Sequence, residues 1–271
     1  MVKDSQSEPY TVALTSCGRF DLLERTLGSL LPRLDGPLER IIISEDSGDL
    51  GVEDVIRNFT GQYGKIDFIV NDPPVGQIRS IDRLYSMIDT EWIFHCEDDW
   101  EFFSSGFIEK SFIILKEFSH LSMVSVRDRR DLEKNRFYPQ PYCFSGIQYY
   151  IVNPAVKPTW AGLSFNPGLR RMSDYRIVGP YSELRVGCNE AQVSDCYRAL
   201  GYLTAYLGEP ATRHIGWEQR TRDRTAPSGP VERLNFSIRK RLERTRWKLA
   251  PETDPVLKAK RRMEKAGKSL G

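Results

Sequence analysis

The sequence has no cysteine pair at C-x-x-C spacing, no glycine-rich phosphate loop after its first apolar run and no internal repeat. Each absence removes a class of function. The five cysteines (Cys17, Cys96, Cys143, Cys188 and Cys196) are odd in number and scattered, so neither a zinc knuckle nor a disulfide framework is expected. Reduced thiols in a cytoplasmic protein are the simpler expectation. No segment approaches the roughly 18 to 20 apolar residues needed to cross a bilayer. The opening stretch MVKDSQSEPY also lacks the apolar core of a secretory signal. A formal net charge of only +2 provides no global field for nucleic acid, and no nucleic-acid module is recognisable. Without an Arg- or Lys-bearing glycine loop, a sugar nucleotidyltransferase is disfavoured. What remains is a 271-residue chain, 40% hydrophobic, long enough for one large domain with an appendage.

The first hundred residues alternate two hydrophobic periods. Strands are expected at Tyr10 to Thr15, Arg40 to Ser44, Ile66 to Val70 and Glu91 to Cys96. Between them, helical spacing links Leu23, Leu27, Leu30, Leu31 and Leu34, then Val52, Val55, Ile56 and Phe59, then Ile78, Ile81, Leu84, Tyr85 and Ile88. This rhythm predicts an α/β fold with a mainly parallel sheet flanked by helices. Ligands of such sheets bind beyond the carboxyl ends of the strands. Three strands end in polar sets, Thr15-Ser16, Glu45-Asp46 and Glu97-Asp98-Asp99, and parallel strands would bring all three to one rim. Further on, a helix is expected over Phe107 to Phe118 and a strand over Leu121 to Val126. Residues 127–142, charged and proline-containing, read as a surface loop. Phe144 to Val152 is strand-like, and Val193, Cys196, Tyr197 and Leu200 mark a helix closed by Gly201.

Three adjacent carboxylates after a buried strand repel one another and call for a positive partner. A hard divalent cation, Mn²⁺ or Mg²⁺, is one answer, since it takes oxygen ligands from one or two carboxylates together with substrate phosphates. An acidic, solvated turn ahead of the next helix is the other.

Six segments, in order, resemble a known family. They are TVALTSCGRFDLLERTLGSL, IIISEDSGD, GQIRSIDRLYSMIDTEWIFHCEDDW, LSFNPGLRRM, NEAQVSDCYRALGY and RHIGW. Together they span roughly residues 10 to 217 and resemble the GT-A fold glycosyltransferases of family 2, which are inverting and carry a DXD motif. The resemblance implies transfer of a sugar from a nucleotide diphosphate donor to a glycan or lipid-linked acceptor hydroxyl. It implies a catalytic domain over 10–220, with a nucleotide-sugar half (10–100) and an acceptor half (101–220), after a polar tail of residues 1–9. Asp99 and His214 would hold the metal. Thr15, Ser16, Arg19, Glu45, Asp46, Gly76, Arg79, Glu97 and Asp98 would contact the donor, and Trp100 and Asn166 the acceptor. Glu190, at the start of a helix, would take the acceptor proton, although Asn189-Glu190 stands where the family often has two acids. The alternative is a non-catalytic nucleotide-sugar or carbohydrate-binding protein with this fold.

From Val231 onward the chain becomes basic, and 231–271 reads as a helical extension. VERLNFSIRKRLERTRWKL places Leu234, Ile238, Leu242 and Trp247 among arginines and lysines. Two readings stand for this amphipathic segment. It docks on an anionic membrane surface, making a cytoplasmic protein peripheral, or it packs back on the catalytic domain.

Overall fold

The computed structural model describes residues 8–63, 66–219, 227 and 229–269. Most of the expected N-terminal tail therefore lies outside the described residues. The expected first-half elements all form. Strand β1 (Tyr10–Ser16) leads to α1 (Phe20–Leu30), β2 (Leu38–Glu45), α2 (Val52–Arg57), β3 (Ile66–Val70), α3 (Gln77–Tyr85) and β4 (Trp92–Glu97). There follow β5 (Trp100–Phe102), α4 (Phe107–Glu117), β6 (Leu121–Ser125), β7 (Tyr142–Phe144), β8 (Ile147–Ile151), β9 (Gly168–Arg171) and α5 (Met172–Val178). The chain continues through α6 (Glu190–Ala199), β10 (Leu203–Leu207), β11 (Thr212–His214), α7 (Pro230–Leu249) and α8 (Pro255–Lys265).

The main sheet has the order β3-β2-β1-β4-β9-β6-β10-β8-β7. Strands β3, β2, β1 and β4 are mutually parallel, as their βαβ connections require. Register sets the site: Thr15 lies opposite Glu97 across β1 and β4, and Ser16 opposite Glu45 across β1 and β2. The three polar strand ends thus share one rim. The sheet as a whole is mixed rather than mainly parallel, because β9 runs antiparallel between β4 and β6. Gly168 sits where β9 crosses β6. A Cβ there would lie 2.5 Å from the Val124 carbonyl oxygen, so no larger residue fits without displacing a strand. The expected strand from Phe144 is broken by a hairpin turn, with Ser145 and Gly146 both at positive φ between β7 and β8.

Two apolar layers cover the sheet. Leu23, Leu27 and Leu30 of α1 and Phe107 and Phe112 of α4 pack on one face with Phe94. Ile81, Leu84 and Tyr85 of α3 and Val193 and Tyr197 of α6 pack on the other with Ile93. Ala259 and Met263 of α8 join that second layer, so the final helix folds back on the domain. His95, one residue from the acidic cluster's strand end, belongs to this core. Burial and the Arg170 charge hold its pKa well below the ordinary histidine value, and its Nδ1 lies 3.0 Å from the Tyr85 hydroxyl. Among the described residues, no helix is long and apolar enough to cross a membrane.

Candidate functional site

A two-stranded antiparallel ribbon completes the rim. Its pairing of Trp100 with His214 and Glu101 with Arg213 carries the far end of the chain to the acidic cluster. The Ile215 amide donates to the Asp99 carbonyl at 2.9 Å. Gly216 then passes so close that a Cβ would sit 2.6 Å from the Asp99 carboxylate. As a result, His214 Nε2 lies 3.3 Å from Asp99 Oδ2. Asp99 Oδ1 and His214 Nδ1 are buried without a hydrogen-bond partner.

The positive partner of the cluster is partly supplied by the chain itself. Arg19 caps the start of α1, and its guanidinium grips both oxygens of Asp98 while Nη1 donates to Asp99 Oδ2 at 2.9 Å. Ser16 Oγ donates to Asp98 Oδ2 at 3.2 Å, and Thr26 Oγ1 to the Asp98 carbonyl at 2.7 Å. Burial still pushes the Asp98 carboxyl up to about 6, against the pull of Arg19. At Asp99 burial acts in the same sense, but His214 and Arg19 outweigh it and hold the carboxyl below its usual range. Glu97 has no cation in contact among the described residues. It accepts from Gln77 Nε2 at 2.7 Å, and desolvation together with Asp99, Glu190 and Asp98 drives its pKa well above the ordinary value.

Breaking the Arg19–Asp98 pair should therefore be felt in stability. Arg19→Met is expected to cost about 3 kcal/mol at neutral pH, the usual scale for orphaning a buried charge. The cost should shrink as the pH falls toward 6, because Asp98 without Arg19 takes up its proton at a higher pH than the paired Asp98 does. Urea midpoints of both proteins across that interval check it.

The cluster floors a cleft of about 660 Å³. Of the residues expected on the donor side, Thr15, Ser16, Arg19, Asp46, Gly76, Glu97 and Asp98 line it. Asp46 does so with its carboxylate engaged, accepting from the Val75 and Gly76 amides at 2.9 and 2.8 Å and from Asn71 Nδ2 at 2.9 Å. Glu45 is fully buried beneath, where Oε1 accepts from the Gly18 and Ser47 amides at 2.8 Å each. Arg79 is exposed on α3 and does not contribute to the lining. On the acceptor side Trp100 and Asn166 both line the cleft. Trp100 is only 1% exposed, however, and packs edge-on against His214. Glu190 stands apart from the lining. Asn189 caps α6 in a capping box with Gln192, and Glu190 Oε1 accepts from the Phe165 amide at 2.6 Å. It thereby holds the segment that presents Trp160 and Asn166. Burial raises its pKa despite the Phe165, Trp160 and Ser164 hydrogen bonds.

Residues 127–142 are the largely exposed, irregular segment expected of them, but Arg127 and Arg136 turn inward from it. Arg127, immediately after β6, is buried with its guanidinium 5.3 Å from the Trp100 ring and 6.0 Å from that of Trp217. It donates to Asn166 Oδ1 at 3.2 Å. Arg136 is buried 4.8 Å from the Trp160 ring. Asp131 and Glu133 join them in lining the cleft. The signal was present, since Arg127 occupies a strand's carboxyl end. Trp217, 55% exposed at the cleft edge, is the indole with a free face.

Among the described residues, no group of three or more His, Cys, Asp or Glu is arranged to hold a metal ion. The fit is instead that of an open site. Asp99 and His214 offer an orphaned oxygen and an imidazole, and a cation there would draw its remaining ligands from substrate phosphates and water.

No protein-family model and no curated protein sequence matches the chain. Solved structures do. S. aureus TarS 1–349 in complex with UDP matches with a TM-score of 0.52 at 9% identity, over 76% of this chain and 59% of that one. GalNAc-T7 with UDP, GalNAc and Mn²⁺ matches with a TM-score of 0.58 at 11% identity, over 96% and 56%. A further structure of S. aureus TarS matches over 76% of this chain and 36% of its own, with a TM-score of 0.53. The chain thus spans little more than half the length of the first two. Identities this low speak to architecture alone, and the architecture is clear: the chain has a GT-A-like fold.

Proposed function

We propose that this chain is a metal-dependent glycosyltransferase, moving a sugar from a nucleotide diphosphate donor to an acceptor hydroxyl of a glycan or lipid-linked glycan with inversion. The observation that carries the reading is the Asp99–His214 pair on the floor of the cleft, beside the carboxyl ends of β1, β2 and β4. Thr15 and Ser16, at the end of β1, and Asp46, at the end of β2, would bound the nucleoside. The start of α3 opens into the cleft at Gln77, whose amide would turn toward the diphosphate while Asp46 holds the Gly76 amide. Asp99 and His214 would hold Mn²⁺ or Mg²⁺, which when bound neutralises charge developing on the leaving diphosphate. Arg19 keeps Asp99 ionised and aimed. Glu97, which accepts from Gln77 Nε2 and has no cation in contact among the described residues, would face the donor sugar. Trp217 offers a flat apolar surface for a sugar ring, and Trp160 and Asn166 bound the acceptor end. Glu190 is the proposed base; its raised pKa makes it a stronger proton acceptor.

A second reading is favoured by one observation. Glu190 Oε1 is tied to the Phe165 amide rather than placed in the cleft lining, as in a protein that binds nucleotide sugars without turnover. A thermal-shift screen of nucleotide sugars with Mn²⁺ or EDTA, followed by mass spectrometry of the products, separates the two. We expect a donor that raises Tm only with metal present, by about 4 °C or more at a hundredfold excess over Kd. Transferred or hydrolysed sugar supports the enzyme. Stabilisation without product supports the binding protein, and metal-independent stabilisation rejects the Asp99–His214 assignment.

A further inference from the structure

The C-terminal extension packs back on the domain with one face and leaves another in solvent. Helix α7 is amphipathic twice over. Its inward face docks on the domain: Phe236 fills the space left by Gly187, where a Cβ would come within 2.2 Å of the ring. On the same face, Glu243 accepts from the Val186 amide at 2.9 Å, and Trp247 stacks with Arg185 at 5.4 Å. The opposite face carries Val231, Leu234, Ile238, Leu242 and Leu249, which at 3.6 residues per turn fall within an arc of about 80°. All five are between 47% and 81% exposed. A helix already anchored to its domain has no folding reason to keep such a stripe in water.

The flanks identify what covers it. By the same helical geometry, Arg239 and Arg246 border the stripe on one side and Arg241 and Lys248 on the other. Across α7, seven lysines and arginines stand against two glutamates, and α8 adds five against one. A groove of about 550 Å³ lies between α7, α8 and the domain, and Arg239, Arg246, Lys258 and Arg262 outnumber Glu183 and Glu243 in its lining. Among the described residues none of these four forms a salt bridge, although Arg262 Nη1 donates to the Gly179 carbonyl at 2.6 Å. A second copy of the chain would set one strongly cationic helix against another. Nucleic acid would answer the charge but leave the apolar stripe uncovered. A surface that is apolar below and anionic above answers both, since arginine stems lie along the apolar layer and their heads reach the phosphates.

We propose that α7 is a membrane-docking helix, its Val231–Leu249 stripe seated in the interface of a bilayer rich in anionic phospholipid and its bordering arginines on the lipid phosphates. The proposal goes beyond the transferase reading and uses none of the cleft residues. The test is flotation of the full chain with phosphatidylcholine vesicles, with and without phosphatidylglycerol, against the variant Leu234→Ser/Ile238→Ser/Leu242→Ser. We expect salt-sensitive binding to the anionic vesicles only. It should weaken roughly a hundredfold in the triple variant, which loses three partly inserted side chains. These side chains lie outside the buried core, with Leu242 only edging the α7–α8 groove, so the variant's circular dichroism and nucleotide-sugar thermal shift should match the parent's. Loss of that shift would bear on the cleft, not on this helix. Failure of the parent to float, or equal flotation of the triple variant, overturns the proposal. So does a concentration-dependent dimer abolished by the triple variant, or binding to duplex DNA in preference to anionic vesicles.

Discussion

Replacing Asp99 by asparagine is expected to lower kcat/KM for sugar transfer by about a hundred- to a thousandfold, the scale for removing one preorganised electrostatic contact to a developing charge. The substitution keeps the side chain's size and one oxygen to accept from Arg19 Nη1, now 2.9 Å from the carboxylate. It removes the anionic charge and sets an amide N–H₂ in place of Oδ1, the buried oxygen without a partner, where a cation would otherwise approach. The loss should therefore fall on the metal-dependent step. The part of the donor-induced thermal shift that EDTA abolishes should vanish, while the Tm of the free protein changes little. Steady-state rates with Mn²⁺ titrated against each protein measure this directly. Transfer that remains fully metal-dependent in Asp99→Asn would remove Asp99 from the site.

That prediction rests on a cluster visible from residue types alone, but only half explained by them. FHCEDDWEFF announces a site because an apolar strand is followed by three acids, and the register of β1, β2 and β4 then brings Thr15, Ser16 and Glu45 beside them. Periodicity could not show that Arg19 folds over Asp98 and Asp99. That contact depends on the α1 start facing the β4 end across the rim, a tertiary fact. Strands β5 and β11 are three residues each, too short to show alternation, yet they deliver His214. Strand β9 was hidden for another reason. It contains Arg170, a charged residue buried within the sheet because its guanidinium donates to the Ser164 carbonyl and the Tyr85 hydroxyl at 3.0 and 3.3 Å. The same concealment covers Arg127 and Arg136, two buried arginines that lie against tryptophan rings within an otherwise largely exposed segment. In α7, apolar residues mark two faces, and the one that turns inward sets Phe236 against Gly187, a fit that hydrophobicity alone does not announce. Charged side chains are poor evidence of exposure wherever a partner or an aromatic ring is close by.

Glu190→Gln is expected to lower kcat by about a hundred- to ten-thousandfold with donor binding intact, as for removal of a general base. The glutamine keeps a carbonyl oxygen to accept from the Phe165 amide, now 2.6 Å from Oε1, so the segment bearing Trp160 and Asn166 should hold its place. The same substitution with alanine would leave that amide unpaired and disturb the acceptor side as well, which makes glutamine the cleaner probe. The pH profile carries the sign. Burial raises the folded Glu190 pKa above its ordinary value of 4.5, and the base works only when ionised. The rate should therefore rise with pH through an acid limb displaced above 4.5 and fall away below it. In Glu190→Gln the residual rate should lose that limb, because the group that titrates is gone. Rates of donor hydrolysis and of transfer, followed separately, distinguish a base from a scaffold. A base needed only to deprotonate the acceptor affects transfer far more than hydrolysis, whereas loss of the Phe165 anchor would depress both. Full transfer activity in Glu190→Gln would leave Glu190 a purely structural tie between α6 and the segment preceding β9.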